Sequence, residues 1–89
     1  MRVASFEWDE ANLAHAVRHG VSQEEMEEVM VSAPMIRKGR SGVYLAYGRT
    51  CDGRYVLMVF QHKGHGTVRP FSARPMTRNE KAMLGRWKK

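Results

Sequence analysis

The stretch VRPFSARPMTRNE, Val68 to Glu80, decides how the C-terminal part of this 89-residue chain folds. Its first half alternates in the manner of a β-strand, and Thr77 with Glu80 three residues later has the spacing of a capping box at a helix start. The stretch also contains three arginines: Arg69, Arg74 and Arg78. Because arginine is seldom fully buried, the pattern predicts a partly open strand that passes into a helix.

The two faces of this strand are expected to differ. Alternation places Val68, Pro70, Ser72 and Arg74 on one face, and Arg69, Phe71 and Ala73 on the other. Phe71 and Ala73 are the better core candidates, so Ser72 and Arg74 are expected to point to an open face. Pro70 has no N–H group, which favours an edge strand or a bulge. Arginine on an edge strand can also simply guard against aggregation, and this alternative stays open for Arg69.

Working outward, the residues before Val68 predict further strands. Tyr55–Phe60 is apolar on both faces, which is typical of a central strand, and Asp52-Gly53 is a hairpin signal before it. The predicted strands are Met35–Arg37, Val43–Thr50, Arg54–His62 and Thr67–Arg74. Together they predict an antiparallel sheet of about four strands.

The N-terminal third predicts two helices. Asp9 is a good N-cap for a first helix that ends at Gly20, and Ser22 with Glu25 forms a capping box for a second, which should end near Ser32–Pro34. A last helix runs from Thr77 to Trp87. The sequence therefore predicts a single α+β domain over residues 1–89, with two N-terminal helices, the sheet and a C-terminal helix.

Charge is distributed unevenly along the chain. Residues 1–36 contain two basic and seven acidic side chains, a net charge of −5, whereas residues 37–89 contain thirteen basic and two acidic ones, a net charge of +11. This asymmetry favours a polyanionic partner for the C-terminal part, nucleic acid before membrane, although a solvated basic surface is the alternative. The single cysteine, Cys51, the lack of a signal-peptide pattern and the lack of a membrane-length apolar run indicate the cytoplasm.

Histidines are the candidates for proton transfer near neutral pH. Helical spacing puts Asn12, His15 and His19 on one polar stripe. Two histidines four residues apart also have metal-ligand spacing, but no HExxH motif or cysteine pair completes a site, so no metal or other cofactor is expected. His19 before Gly20 can instead stabilise a helix C-terminus, and His62 is either a loop residue or a phosphate contact.

Several stretches together resemble the BrnT toxins of the BrnT/BrnA toxin–antitoxin systems. They are FEWDE (6–10), RHGVS (18–22), YGRTCDGR (47–54), VLMVF (56–60) and VRPFSARPMTRNEK (68–81). The S-A-R-x-x-T-x-x-E element, which begins at Ser72, is the most specific of them. The resemblance implies a RelE-like α+β fold, an endoribonuclease activity that arrests growth, and a BrnA-like antitoxin with a ribbon-helix-helix part. It also implies that operator DNA is bound only through the toxin–antitoxin complex.

RNA cleavage without a metal needs a base for the 2′-hydroxyl, a stabiliser for the phosphate charge and an acid for the leaving oxygen. Arginine suits the developing phosphate charge, so Arg74 is predicted to stabilise the transition state. His19 is the first candidate for base or acid, with Tyr47 and His62 behind it. The residues predicted to bind the RNA backbone are Arg49, Arg69, Arg78 and His62.

Two other functions use the same basic surface. A non-catalytic regulator would bind nucleic acid in a strongly salt-dependent way without generating new RNA ends. A protein-interaction module would ignore nucleic acid and lose its protein partner when Arg69, Arg74 and Arg78 are replaced.

Overall fold

The computed structural model describes residues 3–87, which form a five-stranded sheet with helices on both faces. The elements are β1 (Ser5–Phe6), α1 (Glu10–Ala16), α2 (Gln23–Val31), β2 (Met35–Lys38), β3 (Val43–Arg49), β4 (Tyr55–Gly64), β5 (Thr67–Pro75) and α3 (Arg78–Trp87). A 3-10 turn, Val17–His19, continues α1 as far as Gly20, whose φ of 79° ends the helical segment in the left-handed conformation that glycine favours.

The strand order is β1-β5-β4-β3-β2, so β4 is central, as its two-faced apolar pattern predicts. Strands β2 to β5 pair in an antiparallel manner, and this confirms the α+β fold and its four predicted strands. One expectation was wrong in detail: the sheet has a fifth strand, β1, which pairs parallel to β5. Two residues, Ser5 and Phe6, are too few to give an alternation signal, and they are ordered by pairing with Thr67 and Val68.

The two faces of the sheet carry separate hydrophobic clusters. On one face, called the α1/α2 face, Met26 and Val29 from α2 pack on Met58 and Phe60 of β4, all with 0% exposure. On the other, the α3 face, Leu84 of α3 packs with a smaller set: Met35, Tyr47, Leu57 and Met76. Burying apolar side chains on both faces of β4 is what holds the helices against the sheet.

A bulge in β5 changes which of its residues share a face. Pro70 pairs with Phe60 and Ser72 with Val59, so Phe71 is the extra residue between two regular pairs. Val68, Pro70 and Ala73 are consequently buried, whereas Arg69, Ser72 and Arg74 pair with β4 residues of the opposite face. Pro70 was expected to mark an edge strand or a bulge, and a bulge is present at the next residue, Phe71. The expectation that Val68 and Pro70 share a face with Arg74 was wrong because one extra residue inverts the alternation.

All three predicted helix starts have side-chain caps. The Ser22 hydroxyl accepts from the Glu25 N–H at 3.1 Å, and the Thr77 hydroxyl accepts from the Glu80 N–H at 3.2 Å. The Asp9 carboxylate accepts from the Asn12 N–H at 2.8 Å, and the Asn12 side chain accepts from the Asp9 N–H at 2.6 Å. These bonds satisfy N–H groups that a helix start otherwise leaves unpaired.

Asn12 does not belong to an exposed polar stripe with His15 and His19, and that expectation was wrong. Both histidines are exposed, but Asn12 is 5% exposed. Its side-chain amide donates to the carbonyls of Glu7 at 2.9 Å and Pro70 at 3.2 Å. Asn12 therefore joins α1 to the segment before it and to β5.

Candidate functional site

A row of three residues crosses the α3 face where β5 approaches α3. Tyr47 on β3 pairs with Leu57 on β4, which in turn pairs with Arg74 on β5, and directly paired residues point to the same face. This first row brings together Tyr47 and Arg74, two of the three residues predicted to be catalytic. The Arg74 side chain is 41% exposed, so its guanidinium reaches solvent from the row.

Glu80, at the start of α3, fixes the Arg74 guanidinium. Its two carboxylate oxygens accept hydrogen bonds from Arg74 Nη1 at 2.8 Å and Nη2 at 2.7 Å, a bidentate pair. Hydrogen bonding to Arg74 lowers the pKa of Glu80, and the same interaction raises the pKa of Arg74. Glu80 also accepts from the Thr77 N–H at 2.8 Å, so the capping box of α3 and the Arg74 clamp share one carboxylate.

Tyr47 lies beneath α3 rather than in the open. Its side chain is 6% exposed and packs in the cluster that contains Leu84 and Met76. It is close enough to Arg74 to contribute to the raised pKa of that guanidinium, behind the larger effect of Glu80. Tyr47 is therefore a neighbour of the arginine, with little of its ring available to a ligand.

A second row lies one step along the strands on the same face. Arg49 and Tyr55 are directly paired, and the Arg49 Cζ atom lies 4.7 Å from the centre of the Tyr55 ring. Lys81 on α3 places its Nζ 5.5 Å from the same ring. Arg49 also donates to the Gly53 carbonyl from Nε at 3.4 Å and Nη2 at 3.3 Å, which ties it to the β3–β4 hairpin.

Sequence reasoning identified Arg49 but missed Tyr55 and Lys81. Tyr55 was interpreted only as part of an apolar central strand, and Lys81 was named only as the last residue of the stretch at 68–81, without a role of its own. The capping box at Thr77 places Lys81 in the first turns of α3, but no sequence pattern shows that this helix folds back over Tyr55. Arg78, the first residue of α3, is exposed near the same end of the helix.

The other predicted site residues lie elsewhere. Arg69 forms ion pairs with Glu7 Oε1 at 3.0 Å and Asp9 Oδ2 at 2.9 Å, which raise its pKa and fasten β5 to the segment between β1 and α1. Arg69 was predicted to bind RNA, and in this conformation its guanidinium is engaged by two carboxylates.

The two histidines lie in the layer opposite Arg74. The His62 ring lies edge-on to the Tyr44 ring, with 6.4 Å between the ring centres, and Tyr44 stacks on Phe60 in the cluster of the α1/α2 face. His19 follows Ala16 and precedes Val21, both buried in that cluster. The His19 backbone and the His62 side chain therefore lie on the α1/α2 side of the sheet, opposite the first row.

A cavity of about 210 Å³ lies near the far end of α3 and is not part of either row. Its lining residues are Met30, Ala33, Pro34, Ile36 and Trp87. None of them carries an acid, a base or a charge, so the cavity offers no group for acid–base chemistry.

Within residues 3–87, no group of three or more histidine, cysteine, aspartate or glutamate side chains is arranged to hold a metal ion. In the same part of the chain, no helix is long and apolar enough to span a membrane.

Comparison with known proteins gives the class to which this fold and surface belong. Residues 8–80 match the family described as the ribonuclease toxin, BrnT, of type II toxin–antitoxin systems. The match covers most of the chain, and the chain belongs to the BrnT family of ribonuclease toxins, whose members are paired with an antitoxin.

Among solved structures, the fold is similar to the crystal structure of the Brucella abortus ribonuclease toxin BrnT. The TM-score is 0.68 at 16% sequence identity, over 83% of this chain and 97% of that one. At this identity the likeness shows a shared fold. None of the curated proteins matches the sequence.

Proposed function

We propose that this chain is a metal-independent endoribonuclease that cleaves RNA in the cytoplasm, arrests growth and is neutralised by a ribbon-helix-helix antitoxin. The observation that carries the proposal is the Arg74–Glu80 pair: a half-exposed guanidinium, held in one plane by a bidentate carboxylate. Arg49 of β3 and Lys81 of α3 lie beside it on the α3 face. Membership of the BrnT family supports the ribonuclease class.

Arg74 is the residue proposed to stabilise the transition state. Cleavage begins when the 2′-oxygen of a ribose attacks the adjacent phosphorus, loses its proton and forms a five-coordinate phosphate. The P–O5′ bond then breaks, and the 5′-oxygen takes up a proton as it leaves. A guanidinium whose orientation is fixed in advance stabilises the extra negative charge without reorganising during the reaction.

Two groups beside Arg74 are candidates for the proton transfers. Glu80 Oε2 accepts from Arg74 Nη2 at 2.7 Å, while Oε1 accepts from Arg74 Nη1 and the Thr77 N–H, so Oε2 retains a lone pair that is able to accept a proton. The Tyr47 hydroxyl is able to donate one. His19 and His62 belong to the layer across the sheet, which makes direct proton transfer at the Arg74 phosphate geometrically unfavourable.

The test compares purified parent protein with Arg74→Ala and Arg74→Lys on a labelled RNA, and maps the 5′ ends produced. Arg74→Lys keeps the charge but not the fork that Glu80 binds. Both variants should cleave at least about 100-fold more slowly, the usual effect of removing one such donor. Arg86→Ala, an exposed arginine on the same helix, is the matched control, and circular dichroism verifies folding. Full activity in folded Arg74→Ala would refute the assignment.

The remaining parts of the proposal have their own readouts. Growth arrest on induction, relieved by a co-expressed ribbon-helix-helix antitoxin, would support the toxin role, and operator DNA should shift only with both proteins present. His19→Gln tests the histidine alternative: a loss as large as that of Arg74→Ala would return proton transfer to His19.

Two other functions remain as outcomes of the same experiments. Salt-dependent RNA binding with no new 5′ ends would indicate a non-catalytic regulator. A protein-interaction module is indicated if the parent binds the antitoxin but no RNA, and if replacing Arg69, Arg74 and Arg78 abolishes antitoxin binding.

A further inference from the structure

Two positive charges share one aromatic ring in the second row. Arg49 Cζ lies 4.7 Å and Lys81 Nζ 5.5 Å from the centre of the Tyr55 ring, so the two charges lie within about 10 Å of each other. The π-system of the ring attracts both cations. An anion that contacts both side chains would interact favourably with two positive charges at once.

Their immediate neighbours do not neutralise them. The ion pairs among residues 3–87 involve Arg54, Arg69 and Arg74, and neither Arg49 nor Lys81. The carboxylate nearest to Lys81 in sequence, that of Glu80, is occupied by Arg74 and by the Thr77 N–H. The carboxylate nearest to Arg49 in sequence is that of Asp52, and it forms no ion pair with Arg49. The pair is therefore a local concentration of positive charge without an acidic partner in the described part of the chain.

Hydrogen-bond donors remain available on both side chains. Arg49 uses Nε and Nη2 on a single carbonyl, that of Gly53, at distances of 3.4 and 3.3 Å, which leaves Nη1 for a ligand. The lysine ammonium has three donors and no acceptor capacity. Phosphate oxygens, which accept several hydrogen bonds at once, fit this set.

The second row has a definite position relative to Arg74. Tyr55 lies two residues before Leu57 on β4, and Leu57 pairs with Arg74, so the rows are about 7 Å apart along the strand. Tyr55 is also fixed from the other side, because its carbonyl accepts from the Met76 N–H at 3.1 Å, just before α3. The strand spacing and this bond hold the second row beside the first.

We propose that Arg49, Tyr55 and Lys81 form a second phosphate-binding subsite, which holds the RNA phosphate next to the one at Arg74. The inference rests on the proposed ribonuclease function and adds to it a requirement: the substrate must extend past the cleaved bond toward the β3–β4 hairpin. Arg49 and Lys81 contact the phosphate, and the Tyr55 ring positions them.

The first experiment measures binding apart from cleavage. A fluorescent RNA hexamer with every 2′-hydroxyl methylated has no nucleophile, and its affinity is measured by anisotropy over a range of salt. Lys81→Ala and Arg49→Ala should each weaken binding about 3- to 10-fold. Each should also reduce the slope of the logarithm of the binding constant against the logarithm of the salt concentration by about 0.7, the value for one phosphate contact on a single strand. Tyr55→Leu should weaken binding too, because the two cations lose their common support.

Arg86→Ala is the matched control, since it removes the same charge from an exposed position on the same helix. If Lys81→Ala and Arg86→Ala have equal effects, net charge alone explains binding and the subsite is refuted. Competition by inorganic phosphate identifies the source of the ligand: the proposal expects millimolar phosphate at constant ionic strength to displace RNA only weakly. Strong displacement, abolished by Lys81→Ala, would instead indicate a site for free phosphate.

The second experiment separates this inference from the function on which it rests. With a cleavable RNA, Lys81→Ala should raise KM about 3- to 10-fold and change kcat less than KM, whereas Arg74→Ala lowers kcat. Cleavage with Lys81→Ala equal to parent in KM overturns the subsite alone. Binding that depends on Lys81 in a parent that does not cleave overturns the ribonuclease alone.

Discussion

Replacing Asn12 is expected to destabilise the fold more than any exposed polar substitution. In Asn12→Ala, the Glu7 and Pro70 carbonyls lose donors at 2.9 and 3.2 Å, and the Asp9 N–H loses its acceptor at 2.6 Å. A buried carbonyl left unpaired costs about 1–3 kcal/mol and a lost neutral hydrogen bond about 1 kcal/mol, while the better helix propensity of alanine returns about 0.6 kcal/mol.

The expected net loss in the free energy of unfolding is about 2–3 kcal/mol. For a chain of this length the total free energy of unfolding is roughly 4–13 kcal/mol. The loss corresponds to a fall in Tm of roughly 10–20 °C. Urea titration and thermal melts followed by circular dichroism would measure both quantities.

Two further variants make the reasoning testable. Asn12→Asp keeps an acceptor for the Asp9 N–H but cannot donate to either carbonyl, so it should cost at least as much as alanine. Asn79→Ala, an exposed residue in the first turn of α3, should stay within about 0.5 kcal/mol of the parent. If Asn12→Ala behaves like Asn79→Ala, the buried amide contributes nothing to the link between α1 and β5.

Two glycines should respond to alanine in opposite ways. At Gly48 an added Cβ would lie 2.9–3.1 Å from neighbouring side-chain atoms, so Gly48→Ala should lower the free energy of unfolding by about 1–3 kcal/mol. At Gly85, in the interior of α3, an added Cβ would meet no neighbouring atom within 4 Å, so Gly85→Ala should raise the free energy of unfolding by about 0.5–1 kcal/mol. Urea titration measures both changes. The pKa of Glu80 is lowered in the folded state, so its ionised form favours folding. Its contribution to the free energy of unfolding is complete above the pKa of the unfolded state, about 4.5, and is lost as the pH falls through the lower pKa of the folded state. The difference in free energy of unfolding between parent and Glu80→Gln should therefore shrink in acid, and a constant difference would contradict this. The negative charge of Glu28 is the main cause of the raised pKa of the exposed Cys51 thiol, so Glu28→Gln should speed alkylation by iodoacetamide at neutral pH, and an unchanged rate would count against that cause.

Local chemistry was predictable from the sequence because it is decided within a few residues. The capping boxes at Ser22 and Thr77 each involve a partner three residues away, and the left-handed Gly20 ends the first helical segment where the pattern indicates. The central position of β4 follows from its apolar side chains on both faces.

What the sequence could not provide depends on distant partners. Strand β1 is ordered by pairing with residues 62 positions away, and the buried Asn12 side chain donates to a carbonyl 58 positions away. The bulge at Phe71 is a single extra residue, and no local signal fixes whether it falls before or after Pro70. Arg69 has the same residue type as Arg74, and only the fold shows that its partners are Glu7 and Asp9.

In the candidate site, too, the residues were predictable where strand position and charge identify them, and were missed where distant parts of the chain meet. Arg74 and Arg49 were identified by charge and by their place on predicted strands. The association of Arg49 with Tyr55 and Lys81 depends on the direction in which α3 folds back over the sheet, where Leu84 packs in the cluster that contains Tyr47.

The parallel pairing of β1 with β5 has a consequence for how the chain folds. Strands β3, β4 and β5 follow one another as hairpins with short connections, so their contacts form with a small loss of chain entropy. The hydrogen bond from the Glu7 N–H to the Val68 carbonyl instead closes a loop of about 60 residues, which costs more chain entropy. The N-terminal segment should therefore dock late and detach early. Reversible opening of this segment would expose the outer edge of β5 while the hairpins, and with them both rows of the α3 face, remain assembled.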